Sequence, residues 1–342
     1  MARRNPSVDE LESGVLAGER AALGRAITLL ESHRSEDRLR ASDLLERLAP
    51  HRGLAHRIGV TGVPGVGKST FLETLGVRLL EAGRRPAVLA IDPSSVVSGG
   101  SLLGDKTRME RLAADPRAFV RPSPSRGTLG GVASATRETA AVLEAAGFDP
   151  IFVETVGVGQ SEAVVADLVD TVLLLLLPGA GDELQGIKRG LLERVDVAVI
   201  HKADGAERES ARRARLEHAS ALRLLVGSAR RAPPVLTASS LSGDGIDEVW
   251  DALAAHREEL ERDGELERRR RAQRRRGLWR LVEERLLERL RDDVEIAGLL
   301  TDLEDRVAAG TLPAAAAADE ILSRFVSPPK GPHVDFERSG GS

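Results

Sequence analysis

Residues 62–69 read Gly62-Val63-Pro64-Gly65-Val66-Gly67-Lys68-Ser69, the G-x-x-x-x-G-K-[ST] spacing of a phosphate-binding loop. Glycines allow a tight wrap in which successive backbone N–H groups face phosphate oxygens. Lys68 adds a full positive charge, and the Ser69 hydroxyl is suited to ligate Mg²⁺. The apolar Ile58-Gly59-Val60 before the loop reads as a buried strand, and Thr70-Phe71-Leu72 after it opens a helical pattern. A helix N-terminus therefore points at the same phosphates. The whole setting specifies a nucleoside-triphosphate site rather than an incidental glycine turn.

Other residues fall where such a site needs them. Glu154 closes the apolar run Ile151-Phe152-Val153, the position of an acid that serves Mg²⁺ or its water, and Gly157 lets a backbone N–H approach the terminal phosphate. Asp92 ends another apolar run, Val88-Leu89-Ala90-Ile91, and Asp105 lies in a glycine-rich polar loop. Both are candidates for the metal or the attacking water. Lys202-Ala203-Asp204 follows the strand-like Val197-Ala198-Val199-Ile200. A carboxylate there can accept from guanine N1–H and the 2-amino group, where adenine would present an acceptor. Such charge-assisted bonds are worth roughly 1.5–3 kcal/mol each. His201 stands where guanine-reading loops of this spacing carry asparagine, and a neutral imidazole offers one donor and one acceptor. It is expected to copy only part of asparagine's bridging, which bears on nucleotide selectivity. Ser239 and Ser240 follow a last short strand, where small residues let backbone N–H groups reach the base.

The elements that must hold these groups alternate along the chain. Apolar runs near 58–60, 86–91, 118–121, 151–153, 171–177, 197–200 and 235–237 are separated by helical patterns. Near-continuous apolar strands alternating with helices predict an α/β fold, a mostly parallel sheet covered on both faces. Ligands of such sheets bind at the carboxyl ends of the strands, where every motif above falls. Recurrent leucines over 7–48 predict two or three amphipathic helices ahead of the sheet. The expected division is a helical extension over 1–55, a nucleotide domain over 56–263, a helical segment over 264–326, and a Pro/Gly-rich, disordered tail over 327–342. Within 264–326, Leu278, Val282, Leu286 and Leu290 make a stripe that needs a partner, and the arginines of 268–276 read as a solvated face or a contact between copies.

Composition narrows the function classes. The 342 residues carry a net charge of −4, so no global basic field recruits nucleic acid or an acidic membrane. There is no cysteine, which removes disulfides and thiolate metal sites and suits the cytoplasm. The N-terminus lacks the apolar stretch of a signal peptide, and the apolar run at 172–177 is far short of the roughly 20 residues that cross a bilayer. Only five of the 49 basic residues are lysine, which draws attention to Lys106 and Lys188 in motif-like segments. Residues 178–190, with Gly179, Gly181 and Gly186, leave the most apolar strand at its carboxyl end. Lys188 in that stretch is a candidate to be swung toward the terminal phosphate by a partner, with Asp182 and Glu183 restraining it otherwise.

Taken together, residues 62–70, Asp92-Pro93-Ser94-Ser95, 99–109, 154–162 and 178–188 closely resemble the MeaB/ArgK/MMAA GTPases. The resemblance runs from about residue 10 to 325. It implies a P-loop GTPase that binds GTP and GDP with Mg²⁺. Ser69, Asp92, Asp105 and Glu154 are then the metal-side residues, and Lys68 and Lys188 the cations at the phosphates. It further implies a homodimer formed through C-terminal helices, and a partner that is a B12-dependent acyl-CoA mutase, methylmalonyl-CoA mutase or a relative. There the protein gates loading of adenosylcobalamin and helps remove inactivated cofactor, with a cobalamin adenosyltransferase as a further partner. Two alternatives remain beside it. One is a nucleotide-gated scaffold with incidental hydrolysis. The other is a metal-insertion GTPase, which the absence of cysteine disfavours.

Overall fold

The computed structural model of the chain describes residues 5–32, 34–92, 109–124, 129–155, 165–179, 189–226 and 231–326. Seven strands form one parallel sheet: β1 (Arg57–Gly62), β2 (Ala87–Asp92), β3 (Phe119–Pro124), β4 (Ile151–Thr155), β5 (Thr171–Leu176), β6 (Val197–Ile200) and β7 (Val235–Thr237). Their spatial order is β3-β2-β4-β1-β5-β6-β7, which puts β1 between β4 and β5. The described helices of the larger unit are α1 (Val8–Leu16), α2 (Arg20–Leu30), α3 (Ser35–Leu48), α4 (Lys68–Glu81), α5 (Glu110–Ala114), α6 (Leu129–Ala145), α7 (Arg189–Leu192), α8 (Arg208–Val226) and α9 (Ile246–Arg262). Helix α10 (Glu265–Asp292) follows, then α11 (Val294–Ala308) and α12 (Ala314–Val326).

Strand β5 is apolar after Thr171 because both its faces are covered. Along β5, Leu173 and Leu175 enter one core with α4 and α9, while Val172, Leu174 and Leu176 enter another with α7 and α8. Alternation with period two delivers successive side chains to opposite faces. Each such leucine contributes roughly 1.5–3 kcal/mol through burial. A third core joins α1, α2 and α3 to α6 and to Ala87, Leu89, Phe119 and Ile151 of the sheet. The N-terminal helices are thus part of the packing around β2 and β3. Ser7 starts α1 with a reciprocal cap, its hydroxyl accepting from the Glu10 N–H at 3.1 Å while its own N–H donates to Glu10 Oε2 at 2.7 Å.

Two compact units divide at residues 278 and 279. The larger one ends within α10, and the arginine run differs from a uniformly solvated face. Arg270 and Gln273 are buried in it, whereas Arg271 and Arg274 are exposed. In the smaller unit, Trp279, Val282, Leu286 and Leu287 on α10 are exposed, as are Leu322 and Val326 on α12. No helix among the described residues is long and apolar enough to cross a membrane.

Candidate functional site: a phosphate loop joined to the loop after β6

Strand β1 runs straight into the phosphate loop, and α4 leaves it from Lys68. Two glycines make the path possible. Gly62 has φ 150° and its absent Cβ would lie 2.4 Å from the Leu175 carbonyl oxygen of the neighbouring strand. Gly67 has φ 95° at the head of α4, and a Cβ there would lie 2.9 Å from the His201 ring. Any side chain at either place would collide or force an unfavourable backbone. Lys68 is buried, and its Nζ donates to the carbonyls of Gly62 at 2.8 Å and Val63 at 3.2 Å, bracing the loop from within.

Directly beneath, the Ser69 hydroxyl donates to Glu154 Oε1 at 2.8 Å. Register brings the acid there: β4 pairs with β1 through Val60↔Glu154 and with β2 through Ala90↔Glu154. Thr155, next on β4, places its hydroxyl 3.3 Å from that of Thr61. A hydroxyl and a buried carboxylate held together at a phosphate loop are hard oxygen donors, the chemistry Mg²⁺ takes beside substrate phosphates. Among the described residues no group of three His, Asp or Glu forms an all-protein metal cage. A metal held by one or two protein oxygens and phosphates needs none. The residues present therefore fit Mg²⁺. The backbone of Asp92 ends β2 one residue past the Ile91↔Thr155 pair, at the same carboxyl edge. Asp105, Gly157 and Lys188 lie outside the described residues, as do Lys106 and most of 178–190.

The second loop follows β6. His201 is buried, with Nδ1 2.7 Å from the Val66 carbonyl oxygen and Nε2 2.7 Å from the Ser240 hydroxyl. A carbonyl only accepts, so Nδ1 carries the proton, and the neutral ring accepts at Nε2 from the serine. The ring also meets Phe71 edge-on at 5.7 Å. Burial lowers the His201 pKa, with nearby Lys202 adding to the effect against the Val66 bond and Asp204. The expected partial bridge is thus a bridge at both ring nitrogens. Lys202 adopts φ 59°, unusual outside glycine, and its Nζ donates to the Gly65 carbonyl at 2.9 Å. The loop after β6 is in this way tied twice to the phosphate loop.

Ser239 and Ser240 do more than leave room. The Ser239 hydroxyl donates to Asp204 Oδ1 at 2.7 Å and accepts from the N–H groups of Leu241 and Ser242 at 3.2 and 3.3 Å. Ser240 holds His201. Sequence reading took these serines for their size and missed that each brackets one residue of the loop after β6. Spacing from the last strand is a signal for their place, not for that role. Beside this loop, Arg208, Arg212 and Arg215 of α8 line a cavity of about 370 Å³ with Ala203, Ser239 and Glu248.

Known proteins are similar to this chain over most of its length. A mycobacterial protein named Probable GTPase (Mycobacterium tuberculosis) is 54% identical over 317 residues, covering 92% of this chain and 94% of its own. The GTPase ArgK of Escherichia coli is 47% identical over 278 residues, covering 80% and 83%. The mouse mitochondrial methylmalonic aciduria type A homolog is 46% identical over 334 residues, covering 94% and 80%. Among solved structures, a LAO/AO transport system kinase superposes with a TM-score of 0.71 at 35% identity, covering 94% of this chain and 98% of its own. Residues 23–295 match the family described as Methylmalonyl Co-A mutase-associated GTPase MeaB, and the chain belongs to that family of P-loop GTPases.

Proposed function

We propose that this GTPase serves an adenosylcobalamin-dependent acyl-CoA mutase, methylmalonyl-CoA mutase or a close relative, gating cofactor loading and helping to clear inactivated cofactor. The observation that carries the reading is the Ser69–Glu154 pair beneath a phosphate loop that His201 and Lys202 tie to a base-reading loop. Membership of a family described as mutase-associated supports the partner.

In this reading the loop N–H groups and Lys68 hold the β- and γ-phosphates. Ser69 and Glu154, with Asp92 and Asp105, hold Mg²⁺, which when bound neutralises charge across the terminal phosphates. Glu154 orients water at the terminal phosphate, and Gly157 offers a backbone N–H there. Asp204, aimed by Ser239, accepts from guanine N1–H and the 2-amino group. Lys188 is brought to the phosphates when the partner binds and stabilises charge as an arginine finger does. The exposed apolar residues of α10 and α12 form the contact of a homodimer. A cobalamin adenosyltransferase is a second partner, and the site of action is the cytoplasm.

The test is GTP turnover by the purified chain, alone and with saturating mutase, for the parent, Glu154→Gln and Lys188→Ala. Slow turnover in the first variant, and loss of most mutase stimulation in the second with near-parental basal rate, are expected. Parental behaviour of both would overturn the assignment. Unchanged cofactor loading when GTP hydrolysis is blocked would favour a nucleotide-gated scaffold instead.

A further inference from the structure

At the amino ends of the strands, opposite the phosphate loop, four polar side chains stand in a row that the nucleotide site does not use. His56, just ahead of β1, is buried, and its Nε2 lies 2.7 Å from the hydroxyl of buried Thr171 at the start of β5. The pairing Ile58↔Thr171 sets these two strand starts side by side. The same hydroxyl lies 3.0 Å from Nδ1 of His256 on α9. On the far side of that ring, Nε2 is 3.3 Å from Oδ1 of Asp196, just ahead of β6. The other Asp196 oxygen accepts from the Val172 N–H at 2.8 Å.

A hydroxyl has a single proton, so Thr171 donates to one ring and accepts from the other. Asp196 selects the direction, because a carboxylate at Nε2 of His256 favours the proton on that nitrogen and leaves Nδ1 an acceptor. Thr171 then donates to His256 and accepts from Nε2–H of His56. The charges around the two rings differ. Arg269 of α10 lies 3.4 Å from the same Asp196 oxygen, and Arg215 and Arg223 of α8, Glu259 of α9 and Glu265 of α10 line the cavity of about 900 Å³ that His256 faces. The His256 side chain keeps 16% of its surface exposed. Near His56 are Arg257 of α9 and Asp170, whose two oxygens take the Arg270 fork of α10 at 2.8 and 2.6 Å. Asp149 accepts the His56 backbone N–H at 2.9 Å. Burial, with Arg257, His256 and Arg270 acting the same way against Asp170, lowers the His56 pKa to about 3, so this ring stays neutral where histidine ordinarily titrates.

A charged His256 carries a proton on both nitrogens. Thr171 can then only accept from its Nδ1–H, and the hydroxyl proton turns to His56. Nε2 of His56 has to be bare to receive it, which leaves the ring proton of that neutral histidine on Nδ1. We propose that His56, Thr171 and His256 form a proton-coupled relay, in which charging of His256 reverses the Thr171 hydroxyl and shifts His56 from its Nε2–H to its Nδ1–H tautomer. The relay gains one proton overall: His256 ends with two, while the hydroxyl and His56 keep one each. It is a pH sensor with its input at a cavity beside α9 and its output inside the sheet, at the head of β1.

The experiment records two-bond ¹H–¹⁵N spectra of the full chain, labelled with ¹⁵N-histidine, from about pH 8 to about pH 5. His56→Gln and His256→Gln assign the two rings. The expected result is that His56 exchanges the signals of its protonated and bare ring nitrogens, Nε2–H giving way to Nδ1–H, at the same midpoint as His256 gains charge. Thr171→Val removes the hydroxyl and keeps the branched shape, so there His56 should hold one tautomer while His256 still titrates. A constant His56 tautomer in the parent while His256 titrates would overturn the proposal. So would a His256 that stays neutral over the whole range, or a His56 exchange that survives in Thr171→Val. Should Thr171→Val fail to fold, His256→Gln decides alone, because it replaces a partly exposed ring by an amide that does not titrate. His56 then has to keep a single tautomer throughout, and any pH-dependent exchange there is fatal.

Discussion

His201 and Val66 are joined by a 2.7 Å hydrogen bond from the ring Nδ1 to a main-chain carbonyl of the phosphate loop, across 135 residues of sequence. With Ser240 on the other ring nitrogen, the imidazole works as a strut between the phosphate loop and the loop after β7. Replacing it by alanine leaves a buried carbonyl and a hydroxyl without that partner, a cost of about 1–3 kcal/mol. GDP affinity of His201→Ala is therefore expected to fall about ten-fold or more by calorimetry. His201→Asn, which also offers a donor and an acceptor, should stay within about three-fold of the parent. Parental GDP affinity in His201→Ala would show that the strut is not needed.

Two of the buried histidines, His56 and His201, give the chain a sign-definite acid response. Burial holds His56 down to about 3, with Arg257, His256 and Arg270 acting in the same direction against Asp170. Burial likewise lowers His201. Unfolded histidine takes its proton near 6.5, so below that pH the unfolded state binds more protons and stability falls as pH falls. For His56 the loss develops between about 6.5 and about 3. Its limiting slope is roughly 1.4 kcal/mol per pH unit. Denaturant midpoints at pH 7, 6 and 5 should drop progressively. His56→Gln can still donate to Thr171 but cannot titrate, and should flatten the slope. An unchanged slope would assign the acid sensitivity elsewhere.

Guanine preference is expected to depend on how Asp204 is aimed as well as on its charge. Ser239 holds one carboxylate oxygen at 2.7 Å and gathers two N–H groups of its own loop. Asp204→Asn should erode the GDP-over-ADP preference by about ten-fold or more, since a charged bond is worth roughly 1.5–3 kcal/mol. Ser239→Ala should weaken GDP binding by a smaller factor while keeping the preference. Competition of GDP and ADP for a fluorescent GDP analogue checks both. Equal binding of GDP and ADP by the parent would sink the guanine assignment.

Gly62→Ala should be far worse than its size suggests. The new Cβ would meet a backbone carbonyl oxygen at 2.4 Å, and β5 cannot move away without breaking its pairing with β1. Overpacking costs typically about 1–3 kcal/mol even where side chains yield. Loss of nucleotide binding together with a lower Tm is expected. A variant with parental Tm would mean that the strands part more easily than this packing implies.

Much of this was legible because its chemistry is local. The phosphate loop is written in glycines at fixed spacing, and β5 in six residues with no polar side chain after Thr171. Those features need only neighbours in sequence. The Arg270–Asp170 pair was not legible, since nothing in a run of arginines over 268–276 tells which one finds a carboxylate 100 residues upstream. The roles of Ser239 and Ser240 were hidden for the same reason. Serine after a strand is compatible with many turns, and only the fold brings Asp204 and His201 against them. The left-handed Lys202 backbone has no sequence signal at all, because lysine rarely adopts it.

Helix α10 supplies, through Arg270, the counter-charge of Asp170 just ahead of β5. Asp170 and Glu144 are buried acids, and Glu144 takes both nitrogens of the Arg57 fork at 2.9 and 3.0 Å. The counter-charge of Asp170, however, is made 100 residues later than the acid itself. Until α10 emerges from the ribosome, every strand exists but Asp170 has no guanidinium. A chain that stops before α10 is therefore expected to unfold at a lower Tm than the full chain, and an equal Tm would show that Arg270 adds no stability through Asp170.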